Sequence, residues 1–419
     1  MRWSRMKLGR RMQELAVSAA AFLWRRLMFR TTFIAITGSA GKGTATACLA
    51  SILSAHFETN WLPGGRNSLT SQIILRTRFR HRFTVIEAGS DGPGALLRAA
   101  RFIRPDIVVV LRVLSIHTNV FPTIEDVAME KAQLMSRLGK RSLAVLNADD
   151  PRVLAMADRS IARIRTFGTA AGSFAMADQV SGVWPERLQF RVSCENQSAF
   201  VQTNLPGEHL MPSALAAIAT AVSCGLSLGQ AAAAIKDVQP VIGRMYPLAL
   251  PNGACIIRDD FNANFPKLIA GLRFLAQARS SRRIVLVGDV LDTGLTVRPR
   301  ARELGRLVGE AADMAVFLGE EGRLSARAAV EAGMAEASAL AYRDLREAAD
   351  FLRSELRPGD LVLSSGWQGR HIERVSLSQV GEISCWVQRC PKIAPCEMCP
   401  ELKLVPFPTA SHPAARKVV

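Results

Sequence analysis

Lysine, serine and threonine stand among glycines in one short segment of the chain, GSAGKGT at residues 38–44. In such a turn, backbone N–H groups can approach phosphate oxygens closely, a lysine can reach the terminal phosphates, and a hydroxyl can hold Mg²⁺. The residues that could do this chemistry are Gly38, Ser39, Gly41, Lys42, Gly43 and Thr44. The alternative is an ordinary glycine turn between a strand and a helix.

The flanking sequence favours phosphate binding. The run Phe33–Ile36 is apolar and predicts a buried parallel strand, and the run ATACLASILSA after Thr44 favours a helix. A strand, a glycine-rich turn and a helix N-terminus are the parts that a phosphate cradle needs. The segment therefore predicts a nucleotide-binding loop.

Composition limits the class of protein. The chain has 419 residues, enough for two or three domains, and its 49% hydrophobic and 21% charged residues are typical of a globular protein. A net charge of +17 predicts anionic partners such as nucleotides, a phosphorylated substrate, anionic lipid or nucleic acid. We do not expect nucleic acid, because the sequence has neither an RNA-binding aromatic signature nor zinc-finger spacing. Four cysteines scattered among apolar residues indicate a reducing cytosol: Cys48, Cys194, Cys224 and Cys255.

Strand-like and helix-like segments alternate along most of the chain, which predicts an α/β protein with parallel sheets. We expect a P-loop parallel-sheet ATPase domain over residues 31–240 and a smaller Rossmann-like α/β domain over residues 241–380. A basic N-terminal helix covers residues 1–30, and a tail rich in Cys and Pro covers residues 381–419. The other strand-like runs are Phe83–Glu87, Ile107–Leu111, Leu143–Leu146, Ala254–Arg258, Arg283–Val287, Met314–Leu318 and Leu361–Ser364.

The N-terminal segment mixes arginines with large apolar residues. Its longest uncharged run, Leu15–Trp24, is about ten residues, too short to span a bilayer. The segment is either a helix that lies at a membrane surface or a helix that packs on the domain or on a partner protein. Because ATP chemistry belongs in the cytosol, we expect a cytoplasmic protein, peripheral at the inner face of the membrane under the first interpretation.

The phosphate loop resembles that of the Mur ligase superfamily, which reads G-[TS]-x-G-K-[TS]. The glycine after the lysine, with the hydroxyl one place later, is most similar to the folylpolyglutamate synthetase branch. The resemblance implies that ATP binds here, with Lys42 at the γ-phosphate and Thr44 at Mg²⁺.

Two further segments resemble the MurF branch of this superfamily. FTVIEAGSDGPG matches a segment whose glutamate, Glu87 here, helps to hold Mg²⁺. LSIHTNVFPTIEDVAMEKAQLM matches a stretch in which a histidine and a lysine, His117 and Lys131 here, serve a second metal. In the family this lysine is often carbamylated. Asn67 lies where related ligases carry an asparagine-bearing substrate loop.

The segment LPGEHLMPSALAAIA matches the family pattern G-x-H-N-x-x-N-A only in part. Gly207 and His209 fit, and the resemblance places His209 at the nucleotide. The two asparagines of the pattern are replaced by Leu210 and Ser213, so recognition of the base differs from that of the relatives.

The C-terminal α/β unit also carries segments that resemble motifs of the Mur ligase superfamily. IGRMYPL resembles the family's G-R motif, so Arg244 is expected to reach the γ-phosphate when the domains close. RDDFNANFP resembles a segment with a ribose-binding carboxylate, which is either Asp259 or Asp260. Asn262 and Asn264 match the N-A-N of that segment.

Departures from the family concentrate where relatives bind the incoming amine or peptide. In GDVLDTG, Asp292 and Thr293 replace glutamate and leucine, and Ala301 lies near the position of an expected histidine. In LSSGWQG, Ser365 stands in the place of a lysine and Trp367 in the place of a serine.

Four cysteines in the tail form the pattern C-x4-C-x5-C-x2-C: Cys385, Cys390, Cys396 and Cys399. Four thiolates can bind Zn²⁺ tetrahedrally or hold a cluster. The alternative is a flexible tail of free thiols.

Together the resemblance implies an ATP- and Mg²⁺-dependent ligase that activates a carboxylate as an acyl phosphate and joins it to an amine. The UDP-sugar-binding domain that precedes the phosphate loop in Mur ligases is not expected before Gly38, so we predict an acceptor other than UDP-N-acetylmuramoyl tripeptide. Lys42, His117, Lys131 and Arg244 are the predicted catalytic residues. The alternative is a degenerate module that binds a nucleotide or a partner protein without ligating anything.

Overall fold

The computed structural model describes residues 2–62, 69–116, 120–261, 263–290, 294–367, 369–392 and 394–407, and only the backbone of residues 2–14. The described residues form two compact units. The first comprises residues up to Ser181 together with Leu188–Asn204 and Leu210–Gln239. The second comprises Gly182–Arg187, Leu205–His209 and residues from Pro240 onward.

The first unit is a sheet with helices on its faces. Its strands are β1 (Thr32–Thr37), β2 (Thr59–Asn60), β3 (Phe83–Glu87), β4 (Ile107–Val110), β5 (Leu143–Asn147), β6 (Arg163–Gly168), β7 (Ala175–Ser181), β8 (Gln189–Cys194) and β9 (Gln197–Gln202). Its helices are α1 (Arg2–Leu27), α2 (Lys42–Ser54), α3 (Thr70–Arg76), α4 (Ala95–Ile103), α5 (Ile124–Ala132), α6 (Pro151–Leu154), α7 (Met211–Ser223) and α8 (Leu228–Ala234).

The strands of this sheet follow the order β2-β3-β1-β4-β5-β6-β7-β8-β9. Neighbours from β2 to β7 run parallel, and β7, β8 and β9 pair antiparallel. Strands β1, β4 and β5 lie inside the sheet and are buried on both faces, which explains their continuous apolar sequences. Parallel strands end at a common edge, so the loops after β1, β3 and β4 lie close together.

Helix α1 lies within the N-terminal segment, and its C-terminal half packs against the rest of the first unit. Ala21 and Met28 are fully buried, and the Trp24 indole donates a hydrogen bond to the carbonyl of Thr77 (2.9 Å). Arg25 donates to the carbonyls of Ile103 and Arg104 at 2.6 Å each. Within the described residues, no helix is both long enough and apolar enough to cross a membrane.

The second unit contains another α/β sheet. Its strands are β10 (Tyr246–Ala249), β11 (Cys255–Asp259), β12 (Arg282–Val287), β13 (Met314–Leu318), β14 (Ala339–Tyr342), β15 (Asp360–Ser365), β16 (Gly381–Glu382) and β17 (Val405–Pro406). Its helices are α9 (Phe265–Gln277), α10 (Val297–Ala311), α11 (Gly322–Glu331), α12 (Leu345–Glu355) and α13 (Glu373–Leu377). The main sheet has the order β10-β11-β15-β12-β13-β14, parallel except for β10, as expected for a Rossmann-like unit.

The described part of the tail is held to the second unit. Strands β16 and β17 pair antiparallel, and the backbone N–H of Phe407 donates to the carbonyl of Val380 (2.9 Å). A single turn of 3₁₀ helix covers Cys396–Met398. A small apolar cluster of Leu377, Cys396 and Leu402 packs this turn of the tail against α13.

Candidate functional site

The predicted phosphate loop has the geometry of a phosphate cradle. Strand β1 ends at Thr37, and α2 begins at Lys42 with Gly41 as its N-cap in the left-handed conformation (φ +80°). A Cβ on Gly38 would lie 3.0 Å from Leu111 Cβ and 3.2 Å from the backbone nitrogen of Arg112. Glycine is therefore required at both positions, and the N-terminus of α2 points its free N–H groups into the loop.

The lysine of the loop lies along it. Lys42 Nζ donates a hydrogen bond to the carbonyl of Gly38 (2.7 Å). Ser39 ties the loop to the segment after β4, because its Oγ accepts from the N–H of Leu114 (3.0 Å) and its own N–H donates to the carbonyl of Arg112 (2.8 Å). Thr44 is buried in the first turn of α2. The ammonium group is thus held at the glycine-rich turn.

Ser213, one of the departures from the family pattern, has a role in shaping the loop. Its Oγ donates to the carbonyl of Gly41 (3.2 Å), which fixes the start of α7 against the loop. A Cβ on Gly41 would lie only 2.4 Å from this Oγ. The close approach of Ser213 to the loop is therefore possible only because residue 41 has no side chain.

Glu87 lies at the same edge of the sheet as the loop. It is the last residue of β3 and pairs in register with Ile36 of β1; its side chain is buried. The segment that follows is fixed by Glu130 of α5, a residue that sequence reasoning missed. The Glu130 carboxylate accepts from the backbone N–H groups of Gly94 and Leu96, at 2.7 Å each.

Lys131, next to Glu130 on α5, is 1% exposed. Burial, and to a smaller extent the positive charge of Lys42, lower the pKa of Lys131 to about 7, with Glu130 partly opposing the two effects. Lys42 of the phosphate loop is therefore close enough for its charge to act on Lys131. At neutral pH a substantial fraction of Lys131 is an uncharged amine, which is a nucleophile.

Several predicted residues lie outside the part of the chain that the structure describes. They are Asn67, His117, Asn262, Asp292 and Thr293. The others fall on described positions in one unit or the other.

In the second unit, the two aspartates after β11 have different surroundings. Asp260 is 3% exposed and receives two hydrogen bonds from the buried Arg258 guanidinium, at 3.0 and 3.1 Å, and one from Ser364 Oγ at 3.2 Å. Asp259 accepts one from the N–H of Met245 (3.3 Å). Burial raises the pKa of Asp259, and the charges of Lys267 and Arg244 oppose the rise.

Arg244 follows Gly243, which adopts a left-handed conformation (φ +70°). Its guanidinium lies 5.1 Å from the centre of the Phe261 ring, a cation–π arrangement. Arg244 and Asp259 therefore belong to one charged group at the carboxyl end of β11. Asn264, also at this end, caps α9 by accepting from the N–H of Lys267 (3.1 Å).

His209 belongs to the second unit, although the sequence grouped it with the first domain. Its ring packs edge-on against Phe274, with 6.2 Å between ring centres. Desolvation lowers the pKa of His209 to about 4, so the imidazole is neutral at physiological pH. Gly207 adopts a φ of +88°, and a Cβ there would lie 2.8 Å from His209 Nδ1.

A cavity of about 560 Å³ opens at the carboxyl ends of β12, β13 and β15. Acidic, basic and aromatic side chains line it, among them Asp289, Glu321, Arg300, Arg370, Arg389 and Trp367. Arg370 Nε donates to Asp289 Oδ2 at 2.6 Å. Ser365, which replaces a lysine of the family, is buried, and its Oγ has no hydrogen-bond partner among the described residues. Ala301 is buried within α10.

The four tail cysteines do not come together. Within the described residues, the metal-ligating side chains that lie within 4.8 Å of one another are His371, Glu373 and Cys396, so no three of the four thiols form such a group. All eight cysteines are free thiols. The cysteine spacing left open a four-thiol metal site or a tail of free thiols, and the fold brings one of these thiols to a histidine and a glutamate.

A P-loop α/β unit followed by a Rossmann-like unit, with paired lysines at the phosphate loop, is typical of ligases that use ATP to form a C–N bond. The comparisons agree: residues 36–221 match the Mur ligase middle domain, and residues 243–367 match the Mur ligase, glutamate ligase domain. The chain belongs to the Mur ligase family, and it is an ATP-dependent C–N ligase of that type.

Individual relatives support this assignment. The UDP-N-acetylmuramoyl-tripeptide–D-alanyl-D-alanine ligases of Mycobacterium bovis (strain ATCC BAA-935 / AF2122/97) and Mycobacterium tuberculosis (strain CDC 1551 / Oshkosh) are 31% and 30% identical. Each alignment covers 84% of this chain and 74% of the relative.

Solved structures agree on the fold. Crystal structure II of MurF from Acinetobacter baumannii has a TM-score of 0.78 at 23% identity, covering 87% of this chain and 80% of that one. MurF from Thermotoga maritima in complex with ADP has a TM-score of 0.74 at 20% identity, covering 86% and 82%. The predicted family and fold class are confirmed.

Proposed function

We propose that this ligase activates a carboxylate other than UDP-N-acetylmuramoyl tripeptide and joins it to an amino acid or a short peptide. A carboxylate oxygen attacks the γ-phosphorus of ATP, ADP leaves, and an acyl phosphate forms. The amine then attacks the acyl carbon, loses a proton and expels inorganic phosphate. The observation that carries the acyl-phosphate chemistry is the glycine-rich loop that holds Lys42 against the carbonyl of Gly38, together with the buried Lys131.

Residues of the first unit supply charge for phosphoryl transfer. Lys42 would neutralise the transferring phosphate, and Thr44 and Glu87 would hold Mg²⁺. The donor set fits this ion, since a hydroxyl and a buried carboxylate are hard oxygen ligands. Mg²⁺ supplies charge neutralisation at the phosphates when bound. His117 and Lys131 serve the second metal or the acyl-phosphate oxygens.

Lys131 is suited to carbamylation. Its neutral amine forms an N–C bond to CO₂ and releases one proton, which converts a buried cation into a carboxylate-like ligand. The lowered pKa supplies the neutral amine that this reaction needs.

In the second unit we assign ribose binding to Asp259. Asp260 is already engaged by Arg258 and Ser364, whereas Asp259 lies within the charged group that contains Arg244. Arg244 binds phosphate, and the neutral His209 contacts the nucleotide.

The proposal for the incoming amine rests on the 560 Å³ cavity. Trp367 contributes an aromatic wall, and the buried Ser365 cannot supply the positive charge of the family's lysine. In this cavity Arg370 pairs with Asp289 and Arg300 pairs with Glu321. A lining that carries both signs of charge suits a zwitterion, such as an amino acid or dipeptide whose amine is the nucleophile. Arg389, from the tail, has no counterpart among the matched motifs.

The test is phosphate release from ATP and Mg²⁺ over a matrix of carboxylates and amines. UDP-N-acetylmuramoyl tripeptide with D-alanyl-D-alanine, the pair in the relatives' names, is the reference. We expect release that needs both an acid and an amine, at least tenfold faster with another acid than with the reference. Equal or faster turnover of the reference pair would refute the different acceptor. Nucleotide binding without turnover on any pair would favour the binding module.

We also propose that α1 contacts an anionic membrane surface. Leu23, Leu27 and Phe29 are 62%, 54% and 78% exposed, and Arg26 and Arg30 are exposed beside them. Apolar and basic side chains together favour an anionic interface. We expect co-sedimentation with phosphatidylglycerol vesicles that is lost in Leu23→Glu/Leu27→Glu and weakened by salt. Equal sedimentation with phosphatidylcholine vesicles would argue against it.

A further inference from the structure

A buried group of three potential ligands joins the tail to the second unit. His371 lies two residues before α13, Glu373 is the first residue of α13, and Cys396 begins the 3₁₀ turn of the tail. Their exposed fractions are 2%, 5% and 3%. His371 Nδ1 lies 2.7 Å from Glu373 Oε1 and 3.5 Å from Cys396 Sγ. Imidazole, carboxylate and thiol therefore meet at one point within 4.8 Å.

The hydrogen bonds define the state of the histidine. His371 Nε2 lies 2.7 Å from the carbonyl of Lys392, which can only accept, so Nε2 carries a proton. In the neutral imidazole, Nδ1 then presents a lone pair toward Glu373 Oε1, which is also an acceptor. Two acceptors 2.7 Å apart need a proton or a cation between them. A ligand histidine whose other nitrogen donates to a backbone carbonyl is the usual arrangement at metal sites.

A second observation is independent of this pair. The other carboxylate oxygen, Glu373 Oε2, is buried and has no hydrogen-bond partner among the described residues. A cavity of about 10 Å³ lies beside it, lined by Arg258, His371 and Pro395 among others, and is the size of one water molecule. An unpartnered buried carboxylate oxygen costs free energy unless a cation or water satisfies it.

The net charge of the side chains around the group is compatible with a bound cation. The ionisable side chains packed here, besides His371 and Cys396, are Arg258, Arg374, Asp260, Glu373 and Glu397. With three carboxylates and two guanidinium groups, one negative charge is in excess. A divalent cation with a Cys396 thiolate and a neutral His371 makes the group neutral. A protonated His371 without metal does the same, and this is the competing arrangement.

We propose that His371 Nδ1, the Glu373 carboxylate and Cys396 Sγ bind one Zn²⁺ ion, with a water in the adjacent cavity as the fourth ligand. Thiolate, imidazole and carboxylate together are the donor set of zinc. Binding displaces the thiol proton and any proton between His371 and Glu373. The ion links the tail to α13. It therefore also fixes the tail residues that line the 560 Å³ cavity, Arg389, Cys390 and Pro391. This inference does not depend on the ligase reaction.

The experiment measures zinc in the full chain, purified without a metal-affinity tag, by mass spectrometry and by Co²⁺ substitution. We expect one zinc per chain and a thiolate-to-cobalt absorption band. Cys396→Ala and His371→Ala remove both signals, whereas the matched control Cys399→Ser retains them. Cys399 is a fair control because its thiol lies in the same turn but outside the group.

Folding is checked by circular dichroism, and Cys396→Ala keeps a small apolar side chain in the buried position. Folded wild-type protein without zinc and without a cobalt–thiolate band would overturn the proposal. So would zinc that persists in folded Cys396→Ala, or zinc lost equally in Cys399→Ser, which would instead indicate a site built from the tail cysteines.

Discussion

Replacing Lys131 by methionine should stabilise the protein and abolish its activity. Methionine matches the length of the lysine stem and fills the same buried space without a charge. In the native protein an ammonium at this position is both desolvated and close to Lys42. The substitution removes this unfavourable interaction together with the amine that the second metal or the acyl phosphate needs.

The expected gain in the free energy of unfolding follows from the pKa of Lys131. Because folding lowers this pKa from 10.5 to about 7, the unfolded chain binds one more proton than the native protein between these pH values. Stability is therefore reduced below pH 7 and is recovered as the pH rises toward 10.5. At 1.36 kcal/mol per unit, the cost is about 4 kcal/mol at pH 7 and about 2 kcal/mol at pH 9.

The assay is urea unfolding of wild type and Lys131→Met in CO₂-free buffers from pH 6.5 to 9.5. The free energy of unfolding of the variant should exceed that of the wild type, and this excess should shrink by about 2 kcal/mol between pH 7 and pH 9. The titrations of other groups cancel when the two proteins are compared. Lys140→Met, at an exposed position, is the control for the loss of a lysine elsewhere in the first unit. A pH-independent difference at Lys131 would refute the assignment of a buried, titrating amine.

Three further predictions follow from the contacts around the first unit. Lys42→Ala should abolish ATP-dependent phosphate release with an unchanged circular dichroism spectrum. Gly41→Ala should lose about 2 kcal/mol in urea unfolding, because its left-handed φ and the 2.4 Å approach of Ser213 Oγ both penalise a Cβ. The loss should be smaller in a Ser213→Ala background, and equal losses would exclude the clash. Arg25→Met should lower stability by about 2 kcal/mol without changing phosphate release, because it removes one buried and one partly buried hydrogen bond that hold α1.

The fold was predictable where the signal is local. The apolar strand β1, the glycines of the loop and the helix α2 are contiguous in sequence, and each depends on residues beside it. Glu130 was not predictable, because its partners Gly94 and Leu96 lie more than thirty positions away and no motif marks it. The choice between Asp259 and Asp260 likewise depends on Arg258, whose guanidinium direction a sequence does not show.

The cysteine spacing predicted the possible metal ligands only in part, again because the other ligands are distant in sequence. Cys396 was among the predicted ligands, but its neighbours in space are His371 and Glu373, more than twenty positions earlier. These two residues belong to the α/β unit and carry no spacing pattern with the tail. Only the packing of the tail on α13 brings them together.

The most direct test of acyl-phosphate chemistry is oxygen transfer. The acceptor found in the substrate matrix is prepared with ¹⁸O in its carboxylate, and the released phosphate is analysed by mass spectrometry. The proposed reaction moves one carboxylate oxygen into phosphate, so each turnover should yield phosphate with one ¹⁸O atom, and none should form in Lys42→Ala. Phosphate without ¹⁸O, or label found in AMP, would contradict the mechanism.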